Sequence, residues 1–87
     1  MYLHIGQSVV VPAETVLGVF DLDNASWSHR TRSFLERAEK EGRVVNAAAG
    51  LPRSFVLCQK AGENAQVYLS PLSPAVLKGR LAGNGLE

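Results

Sequence analysis

The apolar residues of this chain come in short runs, and nearly every run is closed by a glycine, a proline or an Asp/Asn cluster. Such punctuation rules out long helices over most of the length and leaves short strands joined by turns. Leu3–Ile5 and Ser8–Val11 read as two strands, with Gly6-Gln7 as a tight hairpin turn in which glycine supplies the positive φ. Pro12 ends the second strand because it has no N–H for a ladder. Thr15–Phe20 is a third β-prone run, followed by the turn Asp21-Leu22-Asp23-Asn24. Arg43–Ala47, Ser54–Gln59 and Gln66–Ser70 read as further strands. The loop Ala48-Ala49-Gly50-Leu51-Pro52-Arg53 and the turn Ala61-Gly62-Glu63-Asn64 separate them.

One stretch has a different period. From Trp27 to Glu41, the residues Trp27, Thr31, Phe34, Leu35 and Ala38 recur at helical spacing, which predicts one long amphipathic helix. Ser26 or Ser28 can cap its start, and Gly42 suits the left-handed residue just past its end. Ser73 followed by Pro74 marks the start of a short C-terminal helix, Pro74–Leu81. The pattern predicts an α+β fold: a small antiparallel sheet of short strands with these two helices.

The 87 residues suffice for one thin core, so residues 1–81 are expected to form a single domain and residues 82–87 a flexible tail. A hydrophobic share of 46% against 20% charged argues for a globular chain, but few aromatics are available to fill the core. Small domains with this deficit often gain stability by oligomerising. No secretory start and no run of membrane-spanning length is visible, so the expected location is the cytoplasm.

The candidate chemistry is sparse. Val19-Phe20-Asp21-Leu22-Asp23-Asn24 has the Asp-x-Asp of a phosphatase nucleophile and its acid, but the chain is too short for the remaining machinery. A turn whose Asp and Asn side chains bond nearby backbone is the preferred reading. His4 and His29 fall on different elements with no nucleophile or metal partner suggested, and His4 is expected to face solvent or an adjoining subunit. Ser54, Ser70 and Ser73 lack a nucleophile-elbow context. The lone cysteine, Cys58, lies in an apolar run and reads as a buried structural thiol. No catalytic site, metal site or cofactor is expected.

The cations are more informative. Arg30, Ser33, Arg37 and Lys40 form one polar stripe beside the Phe34-Leu35 face, while Arg32 lies elsewhere on the wheel beside Glu36 and Glu39. Arg30 and Arg32 also stand near the helix N-terminus, where they oppose the macrodipole and where a phosphate would compensate them. An ordinary solvated face, with pairs such as Arg32 to Glu36 and Glu36 to Lys40, is the alternative. Arg53 follows Gly50-Leu51-Pro52 in a loop, placed to reach a phosphate. Lys78 and Arg80 end the last helix, where the dipole favours cations. The net charge of +1 means that any nucleic-acid reading must rest on where these charges sit.

Several blocks, in order, carry a resemblance. Met1-Tyr2-Leu3-His4-Ile5-Gly6, Val9-Val10-Val11-Pro12, Gly18-Val19-Phe20-Asp21-Leu22-Asp23-Asn24, Leu51-Pro52-Arg53-Ser54-Phe55-Val56 and Tyr68-Leu69-Ser70-Pro71-Leu72-Ser73 are similar to the RemA/RemB family of small bacterial extracellular matrix regulatory proteins. The resemblance runs from about residue 1 to residue 81. It implies a ring-like homo-oligomer that binds double-stranded DNA and regulates transcription of biofilm-matrix genes. In a ring, weak contacts from each subunit add up, so a nearly neutral subunit can still hold DNA through a basic rim. By the RemA pattern, the loop before the long strand carries adjacent arginines. Here Leu51 and Pro52 stand there with Arg53 close by, and Glu14 occupies a position that is basic in RemA. The DNA-binding candidates are thus Arg53, Arg30 and Arg37, with Arg32 and Lys40 as weaker ones, each acting on phosphate. The alternative is a protein-binding assembly module, such as a partner of a RemA-like subunit, without DNA contact of its own.

Overall fold

The structure is a computed structural model that describes residues 1–22 and 29–83. Strands β1 (Tyr2–Gly6) and β2 (Val9–Pro12) pair as an antiparallel hairpin. A 3-10 turn at Ala13–Thr15 leads to β3 (Val16–Asp21). Helix α1 (His29–Lys40) is followed by β4 (Val44–Asn46), β5 (Ser54–Cys58), β6 (Gln66–Ser70) and helix α2 (Pro74–Leu81). The α+β class agrees with the sequence reading.

The sheet differs from the single antiparallel one expected. There are two sheets: the β1-β2 hairpin, and a four-stranded sheet in the order β3-β5-β6-β4. In the second, β3-β5 and β5-β6 are antiparallel, whereas β4 runs parallel to β6. The reason is the crossover. Helix α1 carries the chain back down the sheet, so β4 starts at the same end as β3 and runs in the same direction, as a βαβ connection requires.

The helix is also shorter than expected: α1 spans 12 residues rather than Trp27–Glu41. Its C-terminus closes at Gly42 as expected: Gly42 takes φ 74°, Arg43 N–H donates to the Ala38 carbonyl at 2.8 Å, and Gly42 N–H donates to the Glu39 carbonyl at 3.1 Å. This is a Schellman termination, with the glycine in the position its missing Cβ allows. Trp27, the caps Ser26 and Ser28, the turn residues Asp23 and Asn24, and residues 84–87 of the expected tail lie outside the described residues.

Two smaller expectations also shift. The positive φ in the first hairpin belongs to Gln7 (φ 43°), not to Gly6. Gly6 is needed for space instead: a Cβ there would stand 2.7 Å from the Ala47 carbonyl oxygen and 2.8 Å from Pro71 Cδ. Thr15 belongs to the 3-10 turn, where its hydroxyl donates to the Pro12 carbonyl at 2.7 Å. Gln59, just past β5, donates its backbone N–H to the Thr15 carbonyl at 2.9 Å.

Alternation along β5 divides the core into two layers. Val56 and Cys58 face the hairpin and α2, in a cluster with Leu3, Ile5, Val11, Val19, Ala47 and Leu77. Phe55 faces α1, in a cluster with Ala38 and Val67, flanked by Phe34, Leu35 and Leu57. The four-stranded sheet is thus covered on both faces. Leu3, Ile5 and Leu77 are fully buried, each worth roughly 1.5–3 kcal/mol of hydrophobic stabilisation.

Polar bonds fix how these layers meet. The buried Ser70 hydroxyl donates to the Ile5 carbonyl at 2.6 Å and accepts from Leu72 N–H at 3.1 Å, joining hairpin to sheet. Ser54 Oγ donates to the Leu72 carbonyl at 2.8 Å. Arg80 reaches back from α2 to the His4 carbonyl at 3.1 Å, and Ser73 caps α2 as expected, accepting from Val76 N–H at 3.2 Å. Replacing Ser70 by Ala orphans the buried Ile5 carbonyl and is expected to cost about 1–3 kcal/mol in urea unfolding. The cap variant Ser73→Ala is expected to cost about 1 kcal/mol. A neutral Ser70→Ala variant would show that this bond does not join the layers.

Candidate nucleic-acid interface

The basic side chains singled out in the sequence occupy two connected places. Arg53 is exposed and immediately precedes β5, with its backbone held on both sides: its N–H donates to the Ser70 carbonyl at 2.8 Å and its carbonyl accepts from Leu22 N–H at 3.0 Å. By strand alternation, Arg53 lies on the same face of the sheet as Phe55 and Leu57, the α1 side. Arg30 is exposed in the first turn of α1 and borders a groove of about 210 Å³ formed with Phe20, Thr31, Phe34, Phe55 and Leu57. The groove is a shared feature of β3, β5 and α1, and it brings Arg30 to the strand that Arg53 begins.

The other candidates run away from this corner. Arg37 stands seven residues after Arg30, about 10 Å further along the helix axis and close to the same angle around it. Lys40 continues the stripe into the last turn, where its charge suits the helix dipole. Arg32 is exposed but about 200° around the helix from Arg30. Helical spacing therefore places Arg30, Arg37 and Lys40 on one flank of α1 and leaves Arg32 outside it, while Arg53 stands separately, just before β5.

The intrahelical pairs expected at Arg32–Glu36 and Glu36–Lys40 are not formed. Among the described residues Arg30, Arg32, Arg37 and Lys40 make no ion pair. Exposed pairs of this kind contribute little in any case. No acidic residue lies in the first turn of α1, so the positive end of the dipole meets His29 and Arg30. Asp21 ends β3 opposite Ser54, so one carboxylate sits at the same corner as Arg53.

Two other cations have structural work that the sequence did not reveal. Arg43 donates to Glu41 Oε1 at 2.8 Å and to the Ala65 carbonyl at 2.6 Å, and its guanidinium lies 5.9 Å from the Phe34 ring centre. Arg80 holds β1, 76 residues away. Apart from the Arg43–Glu41 pair, these contacts join residues far apart in sequence and have no local signal. The apolar groove was equally unmarked. Phe20 stacks on Phe55 with ring centres 4.8 Å apart and its ring lies over Gly18, an arrangement set by strand pairing. The bulge at Leu17 shifts that register.

The groups considered for catalysis have structural places. Ser54, Ser70 and Ser73 hold the bonds described above. His4 is exposed, its Nε2 2.8 Å from the Gln7 carbonyl across the hairpin turn. Cys58 is buried, as its apolar run implied. It borders a second, more polar cleft of about 160 Å³ between β2 and the β5-β6 turn, lined also by Thr15, Lys60, Glu63 and Tyr68. Burial pushes the Cys58 thiol up from its ordinary value of 9.0, partly offset by a hydrogen bond with Thr15. Burial also raises Tyr68, and the neighbouring Cys58 charge adds to it.

The family described as RemA-like, Extracellular matrix regulatory protein A-like, matches residues 2–81. The chain is 34% identical over 80 residues to "Extracellular matrix regulatory protein B" of Bacillus subtilis (strain 168), covering 92% of this chain and 89% of the relative.

The raised thiol and phenol give a pH expectation. Above the ordinary thiol value of 9.0 the unfolded chain releases protons that the folded chain retains, so stability is full below that value and falls as the pH rises through the raised folded values. Urea midpoints are expected to decline on the alkaline side, less steeply in Cys58→Ala. The native thiol is expected to resist iodoacetamide until the chain unfolds. Rapid native alkylation would contradict the buried placement.

Proposed function

The chain belongs to the RemA-like family of extracellular matrix regulatory proteins, and on that premise we propose that it is a ring-forming, DNA-binding regulator of transcription of matrix and biofilm genes. It acts in the cytoplasm, where the DNA is, and not as an enzyme. The observation that supports this reading is that Arg30, Arg37 and Lys40 are exposed along one flank of α1, with Arg30 bordering a groove on the strand that follows the exposed Arg53. On this reading a duplex backbone runs along the α1 flank and meets Arg53 at the loop before β5. Contacts of this kind are to phosphate, which gives position rather than base identity.

One subunit, at a net charge of +1, is a poor match for a polyanion. Repetition of the flank around a closed ring would multiply it without any new contact type. The exposed apolar residues Tyr2, Val10, Leu17, Phe20 and Val76 supply surface that an assembly would cover. The same surface favours a second reading: an assembly module or partner of a RemA-like regulator that touches no DNA itself.

Fluorescence anisotropy with duplex DNA at low salt separates the two. On the first reading Arg53→Ala weakens binding to all duplexes alike and reduces the salt slope by about 1. Arg37→Ala acts in the same direction, and Arg32→Ala has the smallest effect. A well-folded oligomer that shows no low-salt binding favours the second reading. Light scattering is expected to return a mass several times that of one chain; a lone subunit in dilute buffer contradicts the ring.

A further inference from the structure

The loop from Ala47 to Arg53 has an apex that neither the core nor the basic flank accounts for. Leu51 is 91% exposed, more than any other large hydrophobic side chain in the described residues. The loop that presents it is fastened at both ends. At the start, the buried Ala47 donates its N–H to the Leu69 carbonyl at 2.9 Å, and Ala48 N–H donates to Asn46 Oδ1 at 2.9 Å. At the end, Arg53 is bonded through both its N–H and its carbonyl to β6 and to Leu22. Between these anchors Pro52 fixes its own φ and restricts Leu51 to extended backbone. The result is a loop fastened at both ends that leaves a branched aliphatic side chain in solvent.

Its neighbours say what it fits. Arg53 stands two residues away, and residues 47–53 contain no acidic group of their own, the Asp21 carboxylate lying at the Arg53 corner beyond them. A Cβ on Gly50 would meet nothing within 4 Å, so the backbone beside Leu51 is open to close approach. An apolar tip beside a guanidinium suits the narrow minor groove of B-DNA, where a lone leucine has walls on both sides and arginine meets enhanced negative potential. Apolar side chains inserted there separate base steps and kink the duplex.

We infer that Leu51 is a wedge that enters the minor groove and opens a base step, with Arg53 holding the phosphates beside it. This rests on the DNA-binding reading above and adds how sequence is sensed: through the ease of opening a step, greatest at TA and CA steps. Phosphate contacts alone would leave the protein indifferent to sequence.

The test uses the full chain and its Leu51→Ala variant, which removes no buried contact. The probe is a duplex of roughly 30 bp carrying 2-aminopurine in a central TA step and dyes at its ends. The wild type is expected to brighten the 2-aminopurine and to shorten the end-to-end distance by a kink of about 20–90°. Leu51→Ala loses both signals and binds more weakly while its salt slope is unchanged, since the phosphate contacts that set the slope remain. Wild-type binding without brightening or bending overturns the wedge and leaves the DNA reading standing. Absence of binding by both proteins overturns the two together. A change of solution mass in Leu51→Ala overturns the wedge by assigning the side chain to the contact between subunits.

Discussion

The hydrogen bond from the Ser70 hydroxyl to the Ile5 carbonyl joins the first strand of the chain to the end of its last one. It is buried, spans 65 residues of sequence and ties the hairpin to the four-stranded sheet. Gly6, with no room for a Cβ beside Ala47 and Pro71, lets the two backbones approach closely enough to make it. With this junction closed, Leu3 and Ile5 press on Val56, and α2 packs across with Leu77. The hairpin side of the sheet is then sealed, and α1 takes the other side. Everything argued about the basic flank depends on that division.

The flank itself follows from two local devices. The Schellman turn at Gly42 ends α1 and feeds β4 beside β6, which sets how α1 lies across the sheet. The bonds from Arg53 to Ser70 and Leu22 fix the start of β5 against its neighbours on both sides. Between them they leave Arg30, Arg37 and Lys40 along one side of a helix and Arg53 at the start of β5. The charges are few, and their strength as a binding surface depends on repetition rather than density.

Much of this was legible in the chain. The strands, the Ser73-Pro74 helix start, the glycine after α1 and the buried Cys58 follow from local chemistry and period, and the structure agrees with them. The parallel placement of β4 was not legible, because nothing in Val44–Asn46 specifies a partner; the crossover through α1 decides it. The described α1 is 12 residues rather than a long helix, and the expected start at Trp27 lies outside the described residues. Gly6 was read as a turn residue because flexibility is the usual use of glycine, whereas here its lack of volume matters. At the candidate site, helical spacing separated Arg30, Arg37 and Lys40 from Arg32 in advance. The Phe20-Phe55 stack that sets Arg30 beside β5 depends on register between distant strands and left no local trace.

The central claim is that several copies pool their cations on a shared surface to hold DNA. The salt dependence of duplex binding addresses it most directly. One subunit carries nine lysines and arginines in all, which limits it to a log–log slope of at most about 8 in magnitude. A pooled surface gives a steeper slope than that, together with a complex containing several chains per duplex. A shallower slope with one chain per duplex would contradict the claim.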